Sequence, residues 1–522
     1  MRRVQTFTRS LFKRLYTTSN RTQRENPESL KYIIATLVAG SATLCLANKL
    51  KQSELACDVK TVLAESSKED DTPSNKSSPT LTCAINESRD LIQRKKDECG
   101  CPGMVVAVSI DGRQVWAEGF GFSDVENRVL CHPGTVMRIA SISKPMAMTA
   151  VAKAWEDGKL DLDKPIQEYV PYFPEKTFEG EKVTLTTRQL VSHLGGIRHY
   201  EKTLKEDNKN SKDSNTDKAN DNRSKKANEK NSKPIEEKAE QKKKVSSQFD
   251  NKEYYIKEHY DTVEDAVKIF KDDPLLVKPE SKFLYTTHGW TLISAVLEGA
   301  VKKSFTEQLK TVLNDLGMSH TNLDEAEPLI YHRARYYHKD KKGRLANVPY
   351  VDCSYKWAGG GLVSDVSDLL KFANAILYSY QVDDVIKQNT VDQSKDNQTP
   401  SRNKLLPGYL KSETVKKMWT PVVNTSNSSE GGNYGMGWGI RKESSEYGYG
   451  KYHQFYAAHT GGAVGASSAL LVLPSRQGAS CTSSTEPPRG VAVAILTNMQ
   501  SVGMLKTAAE IAEKFQTVRE SN

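Results

Sequence analysis

The sequence predicts an α+β fold: one antiparallel sheet flanked by N- and C-terminal helices, with a helical half alongside. Three observations carry that prediction. Strand-like apolar runs sit near both ends of the globular part, each beside an amphipathic helical stretch. The middle carries apolar segments at helical spacing instead. Strands gathered at the two ends, with helices between them, close into a sheet whose first and last strands meet.

In chain order, "ESRDLIQRKKDE" has the spacing of an amphipathic helix. "GMVVAVSIDGRQVWAEGFGF" follows as a hairpin, two β-rich runs around Asp111-Gly112, a strong type I′ turn signal. The segment opening at Ser141, "GWTLISAVLEGAV" from Gly289 and "VSDLLKFANAIL" from Val366 are the helices of the middle. "GASSALLVLP" and "RGVAVAILTN" are strands joined by a polar loop around 481–488, and "MLKTAAEIAEKF" closes the chain as an amphipathic helix.

Of the 522 residues, 37% are hydrophobic, and the mean hydropathy is −0.60. Polar inserts account for the deficit. Residues 201–250 are nearly devoid of large apolar groups and mix both charges, which predicts a disordered loop. A long charged helix is the alternative, since Lys and Glu are good helix formers. A second polar loop lies near 392–403. The N-terminus, "MRRVQTFTRSLFKRLYTTSNRTQR", has no acidic residue before Glu25, a mitochondrial transit composition. The apolar run "YIIATLVAGSATLCLA" follows, shorter than the ~20 residues that comfortably span a bilayer. It reads as an interface-flanked span or a sorting signal, and a secretory signal-anchor is the competing reading. The expected organisation is a transit arm over 1–31, an apolar segment over 32–48, a tether over 49–84, and a globular domain over 85–522 that contains the 201–250 insert. Arm and apolar run together point to the mitochondrial intermembrane space and to association with the inner membrane. Without the arm, tether and insert, about 390 residues remain, enough for one domain with a substantial core.

The net charge of +9 sits largely in the arm and the insert and comes with no nucleic-acid-binding motif, so no nucleic-acid partner is expected. Eight cysteines without zinc spacing read as incidental thiols, and no metal or other cofactor is implied.

Ser141 and Lys144 form an S-x-x-K pair at the expected start of a helix. There, unpaired N–H groups and the macrodipole favour a developing anion, and i,i+3 residues share a face. The same pattern recurs at Ser10–Lys13 and Ser401–Lys404, so the spacing alone decides nothing. Tyr285, in "KFLYTTHGWTLIS", precedes an apolar helix. A phenol (pKa ~10) beside an ammonium (~10.4) in a partly dry pocket can take a serine proton and return it. His459, Thr460 and Gly461, in "AAHTGGAVGASSALLVLP", are expected just before a strand as substrate-binding residues. The N–H of Gly462 together with that of Ser141 would make an oxyanion hole.

S-x-x-K, then Y-x-x before a helix, then [KH]-T-G, in that order, resembles the serine β-lactamase and penicillin-binding protein superfamily. The tyrosine resembles its class C branch, with esterase and peptidase relatives. "TTRQLVSHLGGIRHY" and "KWAGGGLVSDVSDLLKF" are similar to further family segments. "DVENRV", "VMRIASISK", "YVDCSYKWAGGG" and "HTGGAVGASS" resemble the animal mitochondrial serine β-lactamase-like family. The resemblance spans 87–515 without the insert. It implies a β-lactamase/transpeptidase-like fold and acyl transfer through Ser141, with Lys144 and Tyr285 sharing the proton work. It also implies a peptide or protein substrate, or an ester, and a role around mitochondrial lipid metabolism. A self-assembling structural protein, homo-oligomeric or larger, is the alternative from another class. Two departures stand out. Thr287 replaces the asparagine of Y-x-N, and His459 replaces a lysine. A partly charged imidazole argues against the carboxylate of β-lactams or D-Ala-D-Ala as the natural ligand.

Overall fold

The computed structural model describes residues 80–200, 253–393, 405–426, 432–445, 452–475 and 487–521. These fall within the unit Ser78–Asn522. The transit arm, the 32–48 segment, the tether up to residue 79, the 201–250 insert and most of the 392–403 loop lie outside the described residues, and residues 81–84, expected to end the tether, instead open the first helix. Among the described residues, no helix is long and apolar enough to cross a membrane.

The first helix, α1 (Leu81–Cys99), is capped by Thr80, whose side chain accepts from the Cys83 N–H, and ends on Gly100 in the left-handed region. The hairpin β1 (Gly103–Ile110) and β2 (Arg113–Asp124) turns at Asp111 and Gly112, with φ of 48° and 79°. Two consecutive positive φ values are what a type I′ turn requires. A short strand, β3 (Val129–Leu130), pairs with β2. Helices α2 (Ser143–Glu156), α3 (His288–Val301) and α4 (Val366–Gln393) make up most of the helical half. The chain then returns to the sheet through β4 (Asn433–Tyr434), β5 (Gly439–Arg441), β6 (Tyr456–Ala463), β7 (Ala466–Pro474) and β8 (Gly490–Thr497), and finishes in α5 (Leu505–Ser521).

These strands form one eight-stranded sheet in the order β4-β5-β6-β7-β8-β1-β2-β3. β1 and β8 pair antiparallel from Met104↔Thr497 to Ile110↔Val491, so the first and last long strands meet as expected. Both faces are covered. Val105 and Ala107 of β1, Leu470 and Val472 of β7 and Ala492, Ala494 and Leu496 of β8 pack with α2, α3 and α4. Their alternates Met104, Val106, Val108, Leu471, Val493 and Ile495 pack with Ile92 of α1 and with Ile511 and Phe515 of α5. Burial on both sides explains why β7 and β8 read as continuous apolar runs rather than alternating ones.

α2 is buried from Ser143 through Ala152, the profile of a helix enclosed on every side. Its N-terminus is therefore fixed in the interior, facing β6. Gly461 makes that approach feasible: a Cβ there would lie 2.2 Å from Ser468 Oγ and 2.3 Å from the Ile139 carbonyl oxygen.

Candidate active site

Ser141 lies one step earlier than expected. It sits in a 3-10 turn (Ala140–Ile142), and the α-helix begins at Ser143. The reason is local. Ala140 has φ 48°, a left-handed conformation that costs an L-residue roughly 1–2 kcal/mol. The chain must bend there before helical geometry can start. The bend is held on each side: Ser468 Oγ donates to the Ile139 carbonyl (2.8 Å) and Ser143 Oγ to the Ala140 carbonyl (2.7 Å). Arg138, just upstream, pairs with Asp324 (2.6 Å) and donates to the Val464 carbonyl (2.8 Å) in the β6–β7 turn, its guanidinium 4.3 Å from the centre of the Tyr336 ring.

Lys144 is fully buried, and its Nζ donates to Ser141 Oγ at 2.9 Å and to the Gly359 carbonyl at 2.5 Å. The same ammonium lies 4.8 Å from the centre of the Tyr285 ring. Lys144 thus touches both Ser141 and Tyr285, residues 144 positions apart in sequence. Two imidazoles fix the Tyr285 segment. The Thr286 N–H donates to His193 Nδ1 (3.1 Å) and the Thr287 N–H to His199 Nδ1 (3.2 Å), while the His193 ring packs against Tyr285 with centroids 4.3 Å apart. Accepting at Nδ1 requires the neutral ring. Burial, reinforced for both by the nearby Lys144 charge, holds each imidazole well below its ordinary pKa.

The expected third segment is divided. His459, Thr460 and Gly461 do not precede a strand; they lie within β6. Strand alternation then sends them to opposite faces. Thr460 and Gly462 line the cleft, whereas His459 and Gly461 do not. His459 is fully buried, with Nε2 2.9 Å from Tyr434 Oη and Nδ1 2.7 Å from the Thr460 carbonyl. Gly461 faces Ile139 and Ser468, so its part is the close approach of strand to turn. Pairing of β6 with β5 ends at Ala458↔Gly439, and β7 holds the other edge through Ala463↔Ala466. With Ala463 and Ala466 closing a two-residue turn, ladder alternation makes Gly462↔Ser467 a non-bonded pair and turns the Gly462 N–H away from β7.

The cleft holds about 210 Å³ and is lined by Ser141, Tyr285, Thr460 and Gly462 together with His199, Tyr200, Tyr254 and Lys356, among others. His199, Tyr200, Tyr254 and Lys356 were not singled out from sequence. Lys356 stands in the quoted "YKWAGGG" stretch, where only the small residues drew attention. Elsewhere the described residues bring together one group of metal-ligating types, His320, Asp365 and Asp368. It is closed by internal hydrogen bonds, and none of its members lines the cleft. Burial pushes the thiols of Cys101 and Cys353 up to about 11 and that of Cys131 to about 12, so these are not competing nucleophiles near neutrality.

The family model described as Beta-lactamase matches residues 89–514. The chain belongs to the beta-lactamase family. This family's serine hydrolase chemistry suits the hydroxyl, amine and phenol gathered here. The chain is 48% identical over 473 residues to a mouse protein named serine beta-lactamase-like protein LACTB, mitochondrial, covering 86% of this chain and 83% of that one. Among solved structures, an octameric penicillin-binding protein homologue from Pyrococcus abyssi matches with TM-score 0.55 at 22% identity, over 83% of this chain and 77% of that chain. A class C beta-lactamase from Rhodobacter sphaeroides matches with TM-score 0.51 at 16% identity, over 83% and 98%. The β-lactamase-type α+β architecture expected from the motifs is the one observed.

Proposed function

We propose that this family member is a mitochondrial serine peptidase acting through a Ser141 acyl-enzyme. The observation that carries the reading is the 2.9 Å contact between a fully buried Lys144 amine and Ser141 Oγ, with the Tyr285 ring stacked on that amine. Ser141 Oγ attacks the substrate carbonyl as the Lys144–Tyr285 pair takes its proton. The tetrahedral oxyanion is held by the Ser141 and Gly462 N–H groups, donors worth about 2.7–4 kcal/mol each in such sites. The pair returns the proton to the departing amine, and the C–N bond breaks. A water molecule, deprotonated by the same pair, then releases the acid and regenerates the hydroxyl. Thr460, which lines the cleft from β6 past the last β5–β6 pair, suits an extended acyl chain laid alongside the strand.

The name carried by the similar mouse protein supports a mitochondrial location. Placement in the intermembrane space beside the inner membrane, and a bearing on lipid metabolism there, rest on the basic arm, the apolar run and the family resemblance. The test is peptide mapping of a defined proteome digest exposed to wild type and to Ser141→Ala. New termini that depend on Ser141 are expected. Hydrolysis of aryl esters alone, with no amide cleavage, would make the protein an esterase instead.

Self-association is the second reading. Leu329 and Tyr331 are 90% and 81% exposed on one short loop, a pattern that marks contact surfaces. Sedimentation of the purified protein tests it, and a monomer at all concentrations would remove it.

A further inference from the structure

Two of the cysteines that are free among the described residues, Cys99 and Cys101, stand with a single glycine between them. Both face the sheet. Cys99 follows Ile92 by seven residues, about two helical turns, so it shares the buried face of α1 and packs against the core that contains Cys101. Gly100 has φ 63° and ψ 38°, the mirror image of a helical residue. Helical dihedrals of either hand set the flanking Cα atoms about 5.4 Å apart. That lies inside the window of about 4.4–6.8 Å that a disulfide spans. The bend is held in place: the Gly100 N–H donates to the Asp97 carbonyl (3.0 Å) and the Cys101 N–H to the Lys96 carbonyl (2.8 Å). The two thiols differ in access, since Cys99 is half-buried and reaches solvent while Cys101 is 5% exposed. Burial chiefly, and then the neighbouring Cys99, raise the Cys101 pKa to about 11, against the pull of a Thr497 bond and of Lys339 and Lys96. Lys339 Nζ stands 2.9 Å from the place that a Cβ on Gly100 would take. Ammonium groups beside the pair draw an anionic reagent toward it. The pair lies on the α1 and α5 side of the sheet, across from α2, and is separate from the cleft at Ser141.

We infer that Cys99 and Cys101 are a reversible dithiol–disulfide site that exchanges with a small anionic disulfide of the glutathione type. Cys99, as the thiolate, attacks one sulfur of the reagent; the reagent's S–S bond breaks and one thiol leaves. The Cys101 thiol gives its proton to water and attacks the Cys99 sulfur, and the second thiol leaves with a proton. The protein loses two electrons and two protons, and the reagent gains both. The ring closes over only three residues. It therefore restrains the unfolded chain little and stays easy to reduce, which suits a site that cycles rather than a structural staple.

The test equilibrates the folded full-length protein with mixtures of reduced (GSH) and oxidised (GSSG) glutathione, blocks free thiols with N-ethylmaleimide and maps tryptic peptides. Residues 97–113 form one such peptide, which contains Cys99 and Cys101 and no other cysteine. The ring shows as that peptide two hydrogens lighter and without maleimide. Its fraction should climb from a tenth to nine tenths as [GSSG]/[GSH]² rises about eightyfold, the response of a two-electron exchange. In Cys101→Ala, Cys99 should hold a glutathione adduct instead, and in Cys99→Ser, Cys101 should stay a free thiol. The wild-type titration decides by itself if either variant fails to fold. Maleimide on both cysteines of wild type at every ratio overturns the inference. So does a ring that forms only after unfolding in urea, or a cross-link of Cys99 to another cysteine such as Cys83.

Discussion

On the proposed reading, Ser141 owes its reactivity to the groups held against it. Lys144 is buried, and its amine donates to Ser141 Oγ and to the Gly359 carbonyl. Replacing it with Met keeps much of the volume and removes one member of the proposed Lys144–Tyr285 proton-handling pair. Lys144→Met is expected to lower kcat/KM by about 10²–10⁴ while leaving the thermal midpoint near that of wild type; steady-state assay and calorimetry check both halves. At this scale the sequence was informative about the reacting groups and silent about their support. S-x-x-K, the tyrosine and the glycine pair each carry local spacing or motif order. His199 and Lys356 carry none, since their meaning comes from cleft walls assembled by distant segments. His459 misled for a simpler reason: which face of a strand a residue occupies depends on register, and register is a tertiary fact.

At the scale of elements, the site depends on how closely β6 meets the bend before α2. Gly461→Ala would put a methyl 2.2–2.3 Å from Ser468 Oγ and the Ile139 carbonyl, neither of which can retreat without breaking the bond between them. The expected cost is about 1–3 kcal/mol, with a fall in turnover larger than the stability loss explains, because the displaced turn carries Ser141. Denaturant midpoints and kcat measured together test this. Arg138 couples the same turn to Asp324 and to the β6–β7 hairpin. Arg138→Met leaves a 5%-exposed Asp324 carboxylate without its 2.6 Å partner and should cost about 3–5 kcal/mol by chemical denaturation. The helices were legible because a 3.6-residue period survives in the sequence, and the long strands because β-rich runs are bounded by turn signals. The 3-10 turn at Ala140 was not, because a left-handed alanine leaves no compositional trace and is held by bonds from Ser468 and Ser143 to its flanking carbonyls.

For the molecule as a whole, the sheet could be read in advance from its ends: Asp111-Gly112 marked one hairpin, and the apolar runs near the C-terminus marked the closing strands. The assembly of buried imidazoles at the cleft was not legible, since His193 and His199 come from one segment and His288 from another, and only the fold brings them together. Burial depresses all three relative to the unfolded chain. Their neutral forms therefore add stability above the unfolded pKa of about 6.5, and that stability drains as pH falls further. The unfolded state gains protons first, at about 1.4 kcal/mol per pH unit for each residue. Urea midpoints should decline from pH 6.5 to pH 5, and a flat profile would contradict this.

The central claim is that Ser141, and no other hydroxyl, is acylated. The direct measurement is fluorophosphonate labelling followed by site mapping on wild type, Ser141→Ala and Ser143→Ala. The account predicts one adduct, on Ser141, retained in Ser143→Ala and absent from Ser141→Ala. Equal labelling of wild type and Ser141→Ala would contradict it.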